Sequence, residues 1–349
     1  MRRRAALAAL GALASVLHRP TRAESAGIEA FDFVALGDMP YGPDLIRGQA
    51  YRHLIDQINA LGLPLTIHVG DFKSGIAPCT DAEYTLQQQY FQRFTQALVY
   101  TPGDNDWLDC QRLGNAPLER LQALRQRFFA SRQSMGQRPI TVERQADLSP
   151  AFGRYVENLR WTQGPPSQGL VFATFHTVGP NNAVDDHHAA VRAEARSRDA
   201  ANAAWIAEAF ALARHRDARA LVLATQAETL VYPDRSGPGR GAIREGFARS
   251  VEQTLLPLAD AAPFPVLLIH GDGHQHTVDR PFRNARDEPI AKLWRMEVFG
   301  DSLMHAVRVR VNPPPGLHRP LDKAEPPFTF TPLRNPMSPD PSMRSRIKP

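Results

Sequence analysis

Three apolar, strand-like runs in this chain stop at the same dipeptide. "FDFVALGD" closes at Gly37-Asp38, "PLTIHVGD" at Gly70-Asp71 and "ALVYTPGD" at Gly103-Asp104, with Asn105 and Asp106 directly behind the last. Two further runs end in other ligand-capable side chains, "ALVLATQ" in Gln226 and "FPVLLIHGDGHQH" in His274 and His276. Carboxylates are hard oxygen ligands, imidazoles suit transition metals, and one carboxylate can bridge two ions. Glycine beside a ligand lets the backbone turn sharply and leaves room for an ion and a substrate. A divalent-metal centre is the chemistry this set would support. The other reading is a set of carboxylates that cap the helices following each strand.

Such residues can converge only if the strands run side by side. Between the runs lie segments with apolar residues three and four apart, Leu45 to Leu61, Asp81 to Gln96, Pro117 to Ala130, Asp199 to Arg214 and Ala242 to Leu258. The alternation also takes in "GLVFATFHTVG", Gly169 to Gly179. Strand and helix in alternation predict an α/β domain with parallel pairing, whose strands present their carboxyl ends at one edge. "LWRMEVFGD" and "MHAVRVRVN" read as two more strands with no helix between them, an antiparallel extension.

The rest of the chain limits what it can be. A composition of 43% hydrophobic and 22% charged residues over 349 positions is globular and supports a sizeable core. Arg2, Arg3 and Arg4 precede thirteen uncharged residues, Ala5 to Leu17, and small residues near Ala23. This is the pattern of a secretory signal peptide over residues 1–23, and the apolar run is short of the roughly 20 residues of a membrane span. The expected location is periplasmic or secreted, by Sec or twin-arginine export. The five arginines of residues 1–23 account for the formal charge of +5, so the mature protein is neutral and no nucleic-acid partner is expected. No later apolar run is long enough to span a membrane. Cys79 and Cys110 are the two cysteines; in an exported protein an even pair reads as one disulfide, two buried thiols being the alternative. The domain is expected over residues 28–312, and the proline-dense segment 313–349 as an extended or disordered tail.

The order of strand-end motifs resembles the calcineurin-like metallophosphoesterase superfamily, whose pattern is GD-x-H, GD-x-x-x-x-G, G-N-H-D or G-N-H-E, a lone His, and G-H-x-H. "GDFKSG" (Gly70 to Gly75) and "GHQH" (Gly273 to His276) match, and "GDNDWLDC" is similar to the "GDNEWTDC" of an exported bacterial branch. The resemblance runs from about Phe31 to His276. It implies a four-layer α/β/β/α sandwich, one or two divalent metal ions per chain (Mn, Mg, Ca, Fe or Zn) and hydrolysis of a phosphorylated small molecule. It also implies a first ion on Asp38, Asp71 and His276 and a second on Asp71, Asp104, Gln226 and His274. Departures are plain: Pro40 stands where a His ligand is usual, Asp104 where Asn is, Asn105 where the His that assists the leaving group is, and Gln226 where the lone His is. With fewer imidazoles the site should favour Mg, Mn or Ca over Fe or Zn. Asp71, Asn105 and Asp106 are the candidate catalytic residues, with Asp106 or a metal-bound water as the acid. Cys79 and Cys110 each follow a ligand loop, so a bridge would tie the two loops together.

Other features are set aside. "DDHH", Asp185 to His188, reads as an exposed helix start, and "SGPGRG", Ser236 to Gly241, lacks phosphate-loop spacing. No nucleophile-elbow pattern is present. His176 and Asn182, in "FHTVGPNN" behind another strand, are second-tier site candidates. Trp107 is read first as a packing residue.

Overall fold

The computed structural model describes residues 29–42, 47–231, 241–314 and 325–338. The signal-peptide segment and the greater part of "SGPGRG" fall outside these residues. The strands are β1 (Phe31–Leu36), β2 (Leu65–His68), β3 (Ala97–Tyr100), β4 (Glu143–Arg144), β5 (Leu159–Gln163), β6 (Leu170–Thr174), β7 (Ala220–Ala224), β8 (Leu230–Val231), β9 (Ala242–Ile243), β10 (Val266–His270), β11 (Thr277–Asp279), β12 (Leu293–Glu297), β13 (Ala306–Val311) and β14 (Phe328–Leu333). The helices are α1 (Gln49–Ala60), α2 (Asp81–Gln92), α3 (Pro117–Phe128), α4 (Gln145–Leu148), α5 (Ala189–His215) and α6 (Leu256–Asp260).

Two large sheets face each other. One has the order β14-β13-β1-β2-β3 and the other β11-β12-β10-β7-β6-β5-β4. β1, β2 and β3 are mutually parallel, as are β6, β7, β10 and β12, so both sheets bring parallel carboxyl ends to a common edge. Side-chain alternation sets the layers. Phe33 of β1 meets Phe172 of β6 at 5.5 Å between the sheets, and Trp161 stacks on Phe172 at 5.1 Å. On β7, Ala220, Val222 and Ala224 join this inter-sheet core, whereas Leu221 and Leu223 pack with Trp205, Ile206 and Phe210 of α5. On the outer face of the first sheet, Tyr100 packs against Phe91 of α2 at 5.3 Å, and Tyr51 of α1 against Tyr90 at 5.1 Å. The result is an α/β/β/α sandwich.

Several expectations need correcting. "LWRMEVFGD" and "MHAVRVRVN" do not pair with each other: β12 lies parallel to β10 in the second sheet, and β13 crosses to the first and runs antiparallel to β1. The expected helix from Ala242 begins instead as β9, paired with β8, and turns helical from Ala248 to Asp260, where the Asp199 carboxylate accepts the N–H groups of Arg249 and Ser250. α5 starts ten residues before the expected Asp199, because the Ala-rich stretch ahead of it is strongly helix-forming. The proline-rich end is not all tail. Phe328–Leu333 pairs with β13 along its whole length, and Pro332 is tolerated because β14 has no second neighbouring strand among the described residues.

Candidate metal centre

The strand ends meet. Asp38 and Asp71 sit just past β1 and β2, both with positive φ (54° each), a strained setting for a residue with a Cβ that turns the chain abruptly out of the sheet. Asp38 N–H donates to Gly70 O at 2.9 Å, which locks these two loops together. From β3, Asn105 N–H donates to Asp71 Oδ1 at 3.0 Å. From the second sheet, Gln226 Nε2 donates to Asp71 Oδ2 at 3.0 Å, and His274 Nε2 lies 3.4 Å from Asp38 Oδ1. Close backbone approach requires glycine at two of these turns: a Cβ on Gly103 would strike the Asp71 carboxylate, and one on Gly271 the Asp38 carboxylate.

The acids crowd one another. Burial and the neighbouring charges of Asp104, Asp106, Asp38 and Asp272 push the Asp71 carboxyl well above the usual range. Burial followed by Asp272 does the same to Asp104. Burial raises Asp38 against the opposing pull of His274. For His274 itself burial works downward, but its contact with Asp38 outweighs this and its pKa is raised. Asp38 Oδ2 and Asp104 Oδ1 are buried without a hydrogen-bond partner. Converging carboxylates with unpartnered oxygens are what a hard divalent cation would satisfy, and the donor set fits one.

Other candidates occupy different places. Asp106 accepts hydrogen bonds from Asp71 N (3.0 Å), Phe72 N (2.9 Å), Gly103 N (2.8 Å) and the Tyr100 hydroxyl (2.7 Å). Burial raises its pKa to about 6 against these bonds. With both oxygens so engaged it clasps the loops rather than offering a proton to substrate. Gln226 turns its nitrogen to Asp71 and its oxygen to Gly179 N at 3.1 Å, so it meets the acids as a donor, not as an oxygen ligand. His276 Nδ1 is 2.8 Å from Glu297 O, and its ring stacks on Phe299 at 4.6 Å. His176 is fully buried between Glu157 (2.9 Å) and Trp107 Nε1 (3.2 Å), and burial draws its pKa down to about 4. Asn182 is bound by Arg198 and donates to Gly246 O at 2.8 Å. Both second-tier candidates therefore serve the framework beneath the site, and Trp107 is a packing residue, with no exposed surface.

Cys79 and Cys110 form a disulfide. Among the described residues, Asp186, His187 and His188 bring ligand atoms within 4.8 Å of one another, but two of the three are exposed at the start of α5, in keeping with a helix start.

Sequence reasoning missed Tyr41. Its hydroxyl donates to Asp71 Oδ2 at 3.2 Å, accepts from Asn105 Nδ2 at 2.8 Å and lies 3.4 Å from His274 Nε2, which puts it in the middle of the acids. The only signal was its position three residues after Asp38, and the turn that aims it inward is invisible in sequence. Beyond it a cleft of about 340 Å³ opens, lined by Pro40, Lys73, Ile76, Pro78, Leu86 and Tyr90 among others.

No family model matches the sequence, and no curated protein does. Among solved structures, the chain is similar to GAP50, the anchor in the inner membrane complex of Plasmodium, with a TM-score of 0.52 and 9% identity over 89% of this chain and 87% of that one. It is also similar to PhoD (TM-score 0.46, 12% identity, 83% of this chain) and to a dimetal phosphatase from Danio rerio (TM-score 0.46, 10% identity, 88% of this chain and 100% of that one). The match spans 65% of the length of the PhoD structure. At these identities the likeness is one of fold. Layers and sheet order define an α/β/β/α sandwich whose strand-end acids gather at one edge.

Proposed function

We propose that this chain is an exported, divalent-metal-dependent phosphoesterase acting on a phosphorylated small molecule. The observation that carries the reading is the meeting of Asp38, Asp71 and Asp104, from three strand ends, with two buried carboxylate oxygens left unpartnered. Bound cations would supply a water acidic enough to attack phosphorus and would offset charge on the phosphoryl oxygens. Asp71, which accepts from Asn105 N–H, Gln226 Nε2 and the Tyr41 hydroxyl at the centre of the acids, would be the carboxylate shared between ions. Asp38 and Asp104 flank it, and His274 is oriented by Asp38. Pro40, next to Tyr41, and Lys73, two residues after Asp71, line a cleft whose largely apolar walls would suit the non-phosphoryl part. Export, with residues 1–23 removed, is supported by the Cys79–Cys110 bridge, and no helix among the described residues is long and apolar enough to cross a membrane.

A second reading, a non-catalytic protein that uses the same pocket to bind a phosphorylated ligand or an envelope partner, is favoured by one feature, the amide of Asn105 where a proton donor would be useful. Assays on an aryl phosphomonoester and diester with Mn²⁺, Mg²⁺ or Ca²⁺, alongside elemental analysis, separate the two. The enzyme reading expects metal-dependent turnover that Asp71→Ala abolishes together with metal content. Metal without turnover of any ester leaves the binding reading, and full metal content in Asp71→Ala removes the shared site from both.

A further inference from the structure

We infer that Asp272, paired with His274, is the second sheet's ligand contribution to the cation site, and that His276 lies outside it; this rests on the metal-dependent reading above. The sequence holds two overlapping patterns after β10, Gly271-Asp272-Gly273-His274 and Gly273-His274-Gln275-His276. The second draws the eye, but the fold uses the first. Gly271-Asp272 is a fourth Gly-Asp pair closing a strand that runs parallel to its neighbours, the same device that delivers Asp38, Asp71 and Asp104. Asp272 and His274 also share the left-handed backbone of Asp38 and Asp71, with φ of 76° and 62°.

Contacts place the carboxylate. Asp272 N–H donates to Asp38 Oδ1 at 3.0 Å, and Asp272 Oδ2 accepts Glu228 N–H at 3.1 Å. The carboxyl group lies against the α-carbon of Gly179, whose own N–H holds Gln226. Asp38 Oδ2, on a fully buried residue, has no partner and packs on the Gly271-Asp272 turn. An unpartnered, buried carboxylate oxygen beside a turn that carries a second carboxylate would be satisfied by a cation held by both. His276 differs: its ring stacks on Phe299, and no hydrogen bond or ion pair among the described residues joins it to Asp38, Asp71 or Asp104. The site therefore offers four carboxylates and one imidazole, a set suited to Mn²⁺, Mg²⁺ or Ca²⁺ rather than Zn²⁺.

The test is Mn²⁺ titration of EDTA-stripped protein by calorimetry, with elemental analysis for stoichiometry. Asp272→Asn, nearly isosteric, should weaken Mn²⁺ binding by about tenfold or more or lose one ion, whereas His276→Gln should stay within about twofold of the parent. Asp272→His serves if the first variant folds poorly, and should raise the ratio of Zn²⁺ to Mn²⁺ affinity by about tenfold. Parent-like Mn²⁺ binding by Asp272→Asn, an unchanged metal ratio in Asp272→His, or an equal loss in His276→Gln would overturn the inference while leaving the metal-dependent reading intact. A parent that binds no divalent cation would overturn that reading first.

Discussion

The backbone N–H of Asp71 donates to the carboxylate of Asp106 across 3.0 Å, fastening the end of β2 to the end of β3. The same carboxylate holds the N–H groups of Phe72 and Gly103 and the Tyr100 hydroxyl. Asp106→Ala should therefore leave three N–H groups without their acceptor in a buried setting and cost about 3 kcal/mol or more, at roughly 1 to 3 kcal/mol for each orphaned group. Urea unfolding of the metal-free protein measures this directly; a loss below about 1 kcal/mol would mean that the clasp is dispensable.

The acids also predict how pH and metal interact. A carboxyl held above its usual value of 3.8, as Asp106 and Asp272 are at about 6, binds its proton more tightly in the folded chain than in the unfolded one. Folded stability from this source is then greatest at low pH and falls as the pH rises from 3.8 through about 6. A cation that neutralises the ionised cluster should restore it. The rise in Tm on replacing EDTA with Mn²⁺ should be larger at pH 8 than at pH 5, by about 2 to 4 °C for each kcal/mol of relief. Thermal melts at the two pH values check this, and equal rises would contradict it.

The Cys79–Cys110 bridge closes a loop 31 residues apart in sequence. Its loss in Cys79→Ser with Cys110→Ser should cost about 3 to 4 kcal/mol in the chain-entropy model. Because the loop joins the Asp71 and Asp104 segments, metal affinity should fall as well. Mass spectrometry of unreduced mature protein should show no free thiol, and denaturant titration of the double variant gives the energy.

Asn105 and Tyr41 make a linked prediction about the departing oxygen. An acid that protonates it is worth about 10² to 10⁴ in rate, and an amide cannot act as one. Burial, then the charge of Asp71, raises the Tyr41 hydroxyl well above its ordinary value, so it keeps its proton but is slow to release it. Activity should climb steeply as the leaving-group pKa falls, and Asn105→His should help alkyl esters more than aryl ones. Rates of parent and variant on one ester of each kind decide the matter; an unchanged ratio with good parental turnover of the alkyl ester would show that another group is the acid.

Much of the site was legible because parallel strands impose a rule: whatever stands after the last residue of each strand is delivered to one edge. That rule named Asp38, Asp71, Asp104, Gln226 and His274, side chains that the structure brings together. It does not say which way a side chain turns after the strand, and there the reading failed. Gln226 has the right address but its orientation is fixed by Gly179 N–H. Asp106 follows two candidate ligands in sequence yet is drawn under the loops by the Phe72 and Gly103 amides. Asp272 closes β10 in the same way as the other acids, but two histidines spaced like ligands lie just beyond it and were read in its place. His176 and Asn182 also follow a strand, but Glu157, Trp107 and Arg198 fill the space around them. The α/β class with parallel pairing followed from alternating strand and helix and the four layers from the resemblance, whereas β14 was concealed by prolines that an edge position tolerates.

The neighbours of β1 carry a consequence for how this protein is made. Strand Phe31–Leu36 lies between β2 and β13, and its Asp32 pairs with Arg308, 276 positions further along. A growing chain thus holds β1 with an unpaired flank until the residues of β13, far along the sequence, have left the ribosome. Completion of the first sheet is barred by connectivity until then, so β1, β2 and β3 wait on a late segment for the last of their pairing.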